Sequence, residues 1–432
     1  MRKCQWFSFL ALVVMVGTAA GSADDAPPKV EHRFDFGTGP AAPGFVKVTP
    51  SSVYTKEAGF GLEPGSQVVG VDRGGPDRLT GDFLTGSVPF SFSVAVPEGN
   101  YRVKLTLGDS LEPSTTTVKA ESRRLMLEGL TTEAGKFARP TFTVNVRTSA
   151  IGSGGQVKLK TRERGYLHWD DKLTLEFNDV RPCVCAVEIE RIETAVTVYL
   201  AGDSTVTDQP NEPWNSWGQM LPRFFDDRVA VANHAESGES LKSSLGARRF
   251  DKIFSQIKPG DYLFIQFGHN DQKEKGPGVG ALTTYKDSLK KVVEQTRKHG
   301  GLPVLVTPVS RRAFGPDGKV VNNLGDYPVA VRQVAAEMNV SLVDLNAMSK
   351  PFYESLGVEG SKQAFVDNTH HNNYGSYELA RAIVEQIRRD KLDLARFIRP
   401  EIPPFDPAHP DPVAGFRVPA SPKANQAKPD GN

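Results

Sequence analysis

Two hydrophobic patterns divide the chain. From about residue 30 to 193, short runs rich in Val, Phe and Thr alternate apolar and polar positions and stop at Gly, Pro, Asn or Asp, which marks half-buried strands. Phe90 to Val96, Tyr101 to Leu107, Phe142 to Val146, Lys172 to Phe177 and Ala186 to Ile192 are such runs, and Pro97-Glu98-Gly99-Asn100 between the first two predicts a hairpin. No helical period interrupts them, so a two-sheet, all-β sandwich is expected over 29–193. After Thr194 apolar runs alternate with helical segments, the mark of a parallel sheet covered on both faces. The strands are Val196 to Ala201, Val229 to Asn233, Tyr262 to Phe267, Pro303 to Thr307 and Ser341 to Leu345; the helices are Ser216 to Phe225, Arg248 to Gln256, Tyr285 to His299, Pro328 to Met338 and Ser376 to Arg389. In the fourth helix Val331, Val334, Ala335 and Met338 recur at i, i+3, i+4 and i+7 and form one apolar face. A three-layer α/β/α domain with five parallel strands is therefore expected over 195–398. From Arg399 to Asn432 nine prolines in 34 residues predict an extended tail, with Phe405 and Phe416 as candidate anchors.

Composition narrows the class. With 39% hydrophobic and 24% charged residues in 432 positions, the chain has the make-up of a soluble protein of two or three domains. A net charge of +1, with arginine pairs scattered at 123–124, 248–249, 311–312 and 388–389, disfavours a nucleic-acid partner. Arg2 and Lys3, the apolar run Phe7 to Val16 and the small residues Gly17 to Ala23 predict a signal peptide over 1–23, cleaved after Ala20 or Ala23. The run is about half the ~20 residues that span a bilayer, so no membrane span is expected after its removal and the mature chain should be secreted or periplasmic. Cys4 leaves with the leader. Cys183 and Cys185, two apart on a strand, face the same way, which favours small buried side chains over a disulfide or a metal site.

In an open parallel sheet, ligands bind beyond the carboxyl ends of the strands. Strand one runs into Gly202-Asp203-Ser204-Thr205, strand two into Ala235-Glu236-Ser237-Gly238 and strand three into Gly268-His269-Asn270-Asp271; Val366-Asp367-Asn368-Thr369-His370-His371-Asn372 precedes the last helix. Ser204, on a tight turn leading from a strand towards a helical segment, is the candidate nucleophile. A serine hydroxyl needs a base in hydrogen-bond reach and a group that orients the base. Asp367 and His370, three apart, can supply both; His371 competes with His370, and spacing leaves the two open. Gly238 and Asn270 are candidate donors to a developing oxyanion. Asp203 and Asp271 support loops. Trp214 and Trp217 either stack on a sugar or pack in the core, and Arg311 and Arg312 are candidates for bidentate binding of a uronic-acid carboxylate.

These four segments resemble the four motif blocks of the SGNH (GDSL-type) hydrolases, and among them the rhamnogalacturonan acetylesterases, over roughly residues 196 to 390. The resemblance implies a flavodoxin-like SGNH domain, a Ser204-His370-Asp367 triad through the Asp-x-x-His pattern, and an oxyanion hole made by the backbone N–H groups of Ser204 and Gly238 and the Asn270 amide. It implies a secreted carbohydrate O-acetyl esterase acting on acetylated pectin, with rhamnogalacturonan as the first expectation and no metal or organic cofactor. Phe34-Asp35-Phe36-Gly37 and the turn at Pro97 to Tyr101 resemble a galactose-binding-like β-sandwich. Two other readings stand beside it: an SGNH esterase or lipase on xylan or another acyl ester, and a glycan-binding protein whose α/β half is inert.

Overall fold

The computed structural model describes Met1 and residues 31–422. The signal-peptide expectation lies, apart from Met1, outside the described residues. Residues 32–192 form two facing sheets. One runs in the order Lys136–Ala138, Gly99–Asp109, Val184–Ile192, His32–Phe36, Val46–Val48, with Thr141–Val146 also paired to Gly99–Asp109; the other runs Phe60–Leu62, Phe90–Ala95, Lys172–Arg181, Ser114–Ala120, Arg124–Thr132. Alternate residues of both sheets fill the space between them. Phe92 meets Phe34 at 4.9 Å and Phe36 at 5.0 Å, both edge to face, and each such ring buried contributes roughly 1.5–3 kcal/mol.

The hairpin expected at Pro97 does not form. Phe90–Ala95 pairs with Lys172–Arg181, while Gly99–Asp109 pairs with Val184–Ile192 in the opposite sheet, so Pro97 to Asn100 is a corner between sheets. The Tyr101 hydroxyl donates to Pro97 O at 2.7 Å and pins it. Turn residues fix where the chain reverses; partner choice follows from which faces can be buried together. Cys183 and Cys185 are buried, unbridged and packed on Phe83, and burial pushes the Cys183 thiol up to about 11.

The second half is a five-stranded parallel sheet in the order Val229–Asn233, Val196–Gly202, Tyr262–Gln266, Leu302–Val306, Ser341–Val343. Its strands are apolar on both faces because both are covered. Val198 and Leu200 enter one core, with helices Asn373–Arg389 and Leu345–Gly360, and Tyr199 and Ala201 enter the other, with helices Lys286–Lys298 and Tyr327–Met338. The helix expected over 216–225 divides into Trp217–Met220 and a 3₁₀ turn, Leu221–Phe224, because Pro222 has no N–H to donate. Helices Leu241–Gly246 and Leu345–Gly360 were not expected; the second contains Pro351 and starts directly after a strand, so no break announces it. Among the described residues no helix is long and apolar enough to cross a membrane.

Over residues 399–422 the proline-rich tail is extended but docked, and the rest of that expectation lies outside the described residues. Phe405 is buried with the Arg381 guanidinium 4.4 Å over its ring, and Phe416 packs on Tyr374 and Tyr377 at 5.6 and 5.5 Å. It then crosses to the sandwich, where Lys119 Nζ donates to Pro419 O and Ser421 Oγ, each at 2.7 Å.

Candidate functional site

Gly202 ends the first strand because nothing larger fits: a Cβ there would lie 2.5 Å from Val206 Cγ2 and 2.7 Å from Gln266 O. The chain then turns on Asp203, whose carboxylate accepts from Thr205 N at 2.9 Å and Thr205 Oγ1 at 2.8 Å, while its carbonyl accepts from Val206 N and Thr207 N. Ser204 sits on this turn. No helix follows directly, and the next begins only at Trp217; instead Gln209 Nε2 donates to Ser204 O at 2.7 Å and holds the turn from the loop beyond.

The segment before the last helix supplies the facing groups. Asp367 Oδ1 accepts from Thr369 N and His370 N, each at 2.7 Å, and Asp367 Oδ2 lies 3.0 Å from His370 Nδ1. Burial pushes the Asp367 carboxyl up, but the hydrogen bonds from the His370 side chain and backbone and from Thr369 outweigh it and hold the group well below the usual carboxylate range. With Nδ1–H donated to this carboxylate, the Nε2 lone pair of His370 accepts from Ser204 Oγ, 2.8 Å away. A hydroxyl held on an imidazole that is held in turn by a carboxylate is the arrangement that activates an oxygen nucleophile. His371 turns away. Its Nε2 meets the Tyr353 hydroxyl at 2.8 Å, its ring packs on Phe365 at 4.2 Å, and burial pushes its pKa down to about 3.

A second buried pair stands behind the nucleophile. His269 Nδ1 lies 3.0 Å from Asp203 Oδ2 and its Nε2 is 3.0 Å from Val309 O. Burial raises the Asp203 carboxyl, and the charge and hydrogen bond of His269 with the two bonds from Thr205 bring it below its ordinary value. His269 was given no role by the sequence; its signal was an imidazole beside a strand end in a motif otherwise explained. Asp271, as expected, supports loops: it accepts from Leu241 N at 2.9 Å and Gly268 N at 2.8 Å.

Gly238 adopts φ +79°, a left-handed conformation that favours glycine, and Asn270 Nδ2 donates to Glu239 O at 3.0 Å. Together with Lys160, Ser240, Ser243, Lys273 and Glu274 they line a cavity of about 370 Å³. Among the described residues no group of His, Cys, Asp and Glu is placed to hold a metal ion.

For the two tryptophans the structure takes the packing alternative, and the expectation for the two arginines is corrected. Trp217 is buried in the core with Nε1 donating to Gln266 Oε1 at 3.0 Å, out of reach of any ligand. Arg312 is engaged by Ser361 Oγ at 3.0 Å, Asn368 Oδ1 at 3.1 Å and Val358 O at 2.5 Å. Arg311 braces the triad turn through Thr369 Oγ1 at 3.2 Å and His269 O at 3.4 Å, its paired Nη edge facing the Gln272 amide. Neither guanidinium presents the open edge a bidentate grip needs. Trp214 packs rather than projects, edge-on to His370 with centroids 5.6 Å apart.

The sandwich reaches into this site, which the sequence did not reveal. Arg123 Nη1 donates to Gln209 O at 3.0 Å and Trp214 O at 2.9 Å, and its Nη2 pairs with Glu212 at 2.5 Å. Arg124 Nε donates to Asp208 Oδ2 at 2.8 Å, and the other oxygen of Asp208 accepts from Asn233 Nδ2 at 2.8 Å. Leu125 enters the α/β core.

Residues 200–377 match the GDSL-like Lipase/Acylhydrolase family, and residues 32–149 match the beta-agarase/YXIM esterase-like, galactose-binding domain-like family. The chain is 39% identical over 216 residues to the rhamnogalacturonan acetylesterase RhgT of Bacillus subtilis, covering 46% of this chain and 92% of that protein. It is 28% identical over 409 residues to the uncharacterised esterase YxiM of the same bacterium, covering 91% of this chain and 99% of that one. The crystal structure of YxiM aligns with 26% identity and a TM-score of 0.45 over 84% of this chain and 99% of that chain.

Proposed function

Since the chain belongs to the GDSL-like lipase/acylhydrolase family and is a carboxylic ester hydrolase, we propose that it removes O-acetyl groups from pectin, with acetylated rhamnogalacturonan as its substrate. The observation that carries this reading is the unbroken chain Ser204 Oγ to His370 Nε2 at 2.8 Å and His370 Nδ1 to Asp367 at 3.0 Å. Ser204 Oγ attacks the acetyl carbonyl while His370 takes its proton. The N–H groups of Ser204 and Gly238 and the Asn270 amide receive the oxyanion, each such donor being worth ~10²–10³ in kcat. His370 then gives the proton to the sugar oxygen, which leaves as an alcohol, and Ser204 keeps the acetyl group. Water, deprotonated by the same imidazole, releases acetate and restores the hydroxyl.

Pectin as the substrate is supported by the 39% identity to RhgT across nearly all of that protein's length. Export is supported by Arg2, Lys3 and the apolar run from Phe7 to Val16. Acetate release from acetylated rhamnogalacturonan, homogalacturonan and xylan, by the wild type and by Ser204→Ala, tests the reading. Fastest release from rhamnogalacturonan, with kcat lowered at least ~10³-fold in the variant, is expected. Faster release from xylan would overturn the substrate, and an equally active variant would overturn the mechanism.

A further inference from the structure

Resting on that esterase reading, we propose that Lys160 and Arg162 of the N-terminal half are positioning residues of the reaction: they set the orientation of the Ser237–Gly238 peptide, whose N–H receives the oxyanion. Ser237 O accepts from Lys160 Nζ at 2.5 Å and from Arg162 Nη2 at 2.8 Å. A trans peptide directs its C=O and its N–H to opposite sides, so two cations on the Ser237 oxygen aim the Gly238 N–H away from themselves. Among the described residues no protein acceptor meets that N–H. The turn lies against the nucleophile: Glu236 N donates to Gly202 O at 3.1 Å, and Gln209 Nε2 reaches both Ser204 O at 2.7 Å and Ser237 Oγ at 3.4 Å.

The local backbone leaves this grip something to decide. Glu239 N donates to Glu236 O at 3.2 Å and closes a β-turn with Ser237 and Gly238 at its centre. Gly238 has φ +79° while Ser237 has no positive φ, the signature of a type II turn. Type I and type II turns differ by a flip of the central peptide, which exchanges the sides of its C=O and N–H, and glycine at the third position permits both. The two contacts to the Ser237 oxygen select one of them. Each cation is itself held on the turn, Lys160 by Glu239 at 3.1 Å and Arg162 by Glu236 at 2.6 Å. The Lys160 backbone N–H donates to Glu163 Oε2 at 2.8 Å and starts the 3₁₀ turn Thr161–Gly165, which carries Arg162. A hydrogen bond from a charged donor is about twice as strong as a neutral one. Two on one oxygen also polarise the peptide and make its N–H a better donor.

The test uses the full chain and 4-nitrophenyl acetate, whose acetyl carbonyl develops the oxyanion without a sugar. The two side chains are 30% and 31% exposed, so the fold tolerates their truncation. Lys160→Met and Arg162→Met should each lower kcat and kcat/KM together by about tenfold, part of the ~10²–10³ that losing a donor outright costs. KM should hold, because the oxyanion forms only on the way to the transition state. Lys160→Arg should restore the rate. The sequence holds two Ser–Gly peptides, 153–154 and 237–238, so serine labelled with ¹³C at the carbonyl and glycine labelled with ¹⁵N give two peptide signals. In Lys160→Met the Ser237 carbonyl carbon should move upfield, as it does when its oxygen loses a charged donor, while that of Ser153 stays. Unchanged kcat in both variants, a change in KM alone, or a Ser237 signal that does not move would overturn the positioning role and leave the esterase reading standing. A wild type inert towards 4-nitrophenyl acetate would overturn that reading, and the positioning role with it.

Discussion

Ser204 and His370 meet although 166 positions separate them, and each was legible from its own motif, Ser204 at a strand end and His370 in the segment before the last helix. Which of two adjacent histidines does the facing was not, because Asp-x-x-His fixes a spacing and not a side. The structure separates them by partner: His370 lies between Asp367 and Ser204, and His371 between Tyr353 and Phe365. Asp367→Asn should keep the fold and lower kcat about 10⁴-fold, because an amide that donates to Nδ1 leaves the proton on the nitrogen that faces Ser204. His371→Phe should do the reverse, costing about 1–3 kcal/mol for the stranded Tyr353 hydroxyl while kcat holds. Chromogenic acetate kinetics beside urea unfolding of both variants checks the pair of outcomes, and a kcat loss in His371→Phe matching that of Asp367→Asn would reverse the assignment.

At the scale of elements, the parallel sheet was readable because strands buried on both faces are continuous apolar runs, and its strand ends carry the motifs. What failed in the sequence was pairing and interruption: the corner at Pro97 joins strands of opposite sheets, and Leu345–Gly360 hides behind Pro351. Asp271 shows what the strand ends require beyond motif chemistry. It joins Gly268, after the third strand, to Leu241, at the start of a short helix. Burial pushes its pKa up to about 7, against the hydrogen bond from Leu241. An unfolded Asp titrates near 4, so the folded state holds the proton more tightly. This group's contribution is complete below about pH 4 and is lost as pH rises through about 7. Asp271→Asn should lower stability by about 1–3 kcal/mol in acid, where one backbone N–H loses its oxygen. The deficit should shrink as pH rises from 4 to 7, since the variant has no carboxylate to ionise. Urea midpoints at pH 4.5, 6 and 7.5 follow it, and a deficit that grows with pH would contradict the assignment.

For the whole molecule, the relation between the halves is what the sequence concealed most. The strand pattern of the first half suggested a structure apart from the chemistry, because Arg123 carries no local sign of its partners, which lie 86 and 91 positions away. Folded, it holds both ends of the loop that touches the nucleophile through Gln209 and covers the base through Trp214. A planar guanidinium can reach Gln209 O, Trp214 O and Glu212 at once; an ammonium on a shorter stem cannot. Arg123→Lys keeps the buried charge opposite Glu212 but should release one end of the loop. A displacement of about 1 Å at the reacting groups costs up to ~10²-fold, so kcat on 4-nitrophenyl acetate should fall tenfold to a hundredfold. Removing the charge in Arg123→Met strands Glu212 and should also cost about 3–5 kcal/mol. If Arg123→Lys kept full kcat, the sandwich would be only a neighbour of the catalytic loop. If it lost kcat while its melting temperature stayed within a few degrees of the wild type, the first half would be part of the catalytic apparatus, acting through a loop that the second half cannot hold alone.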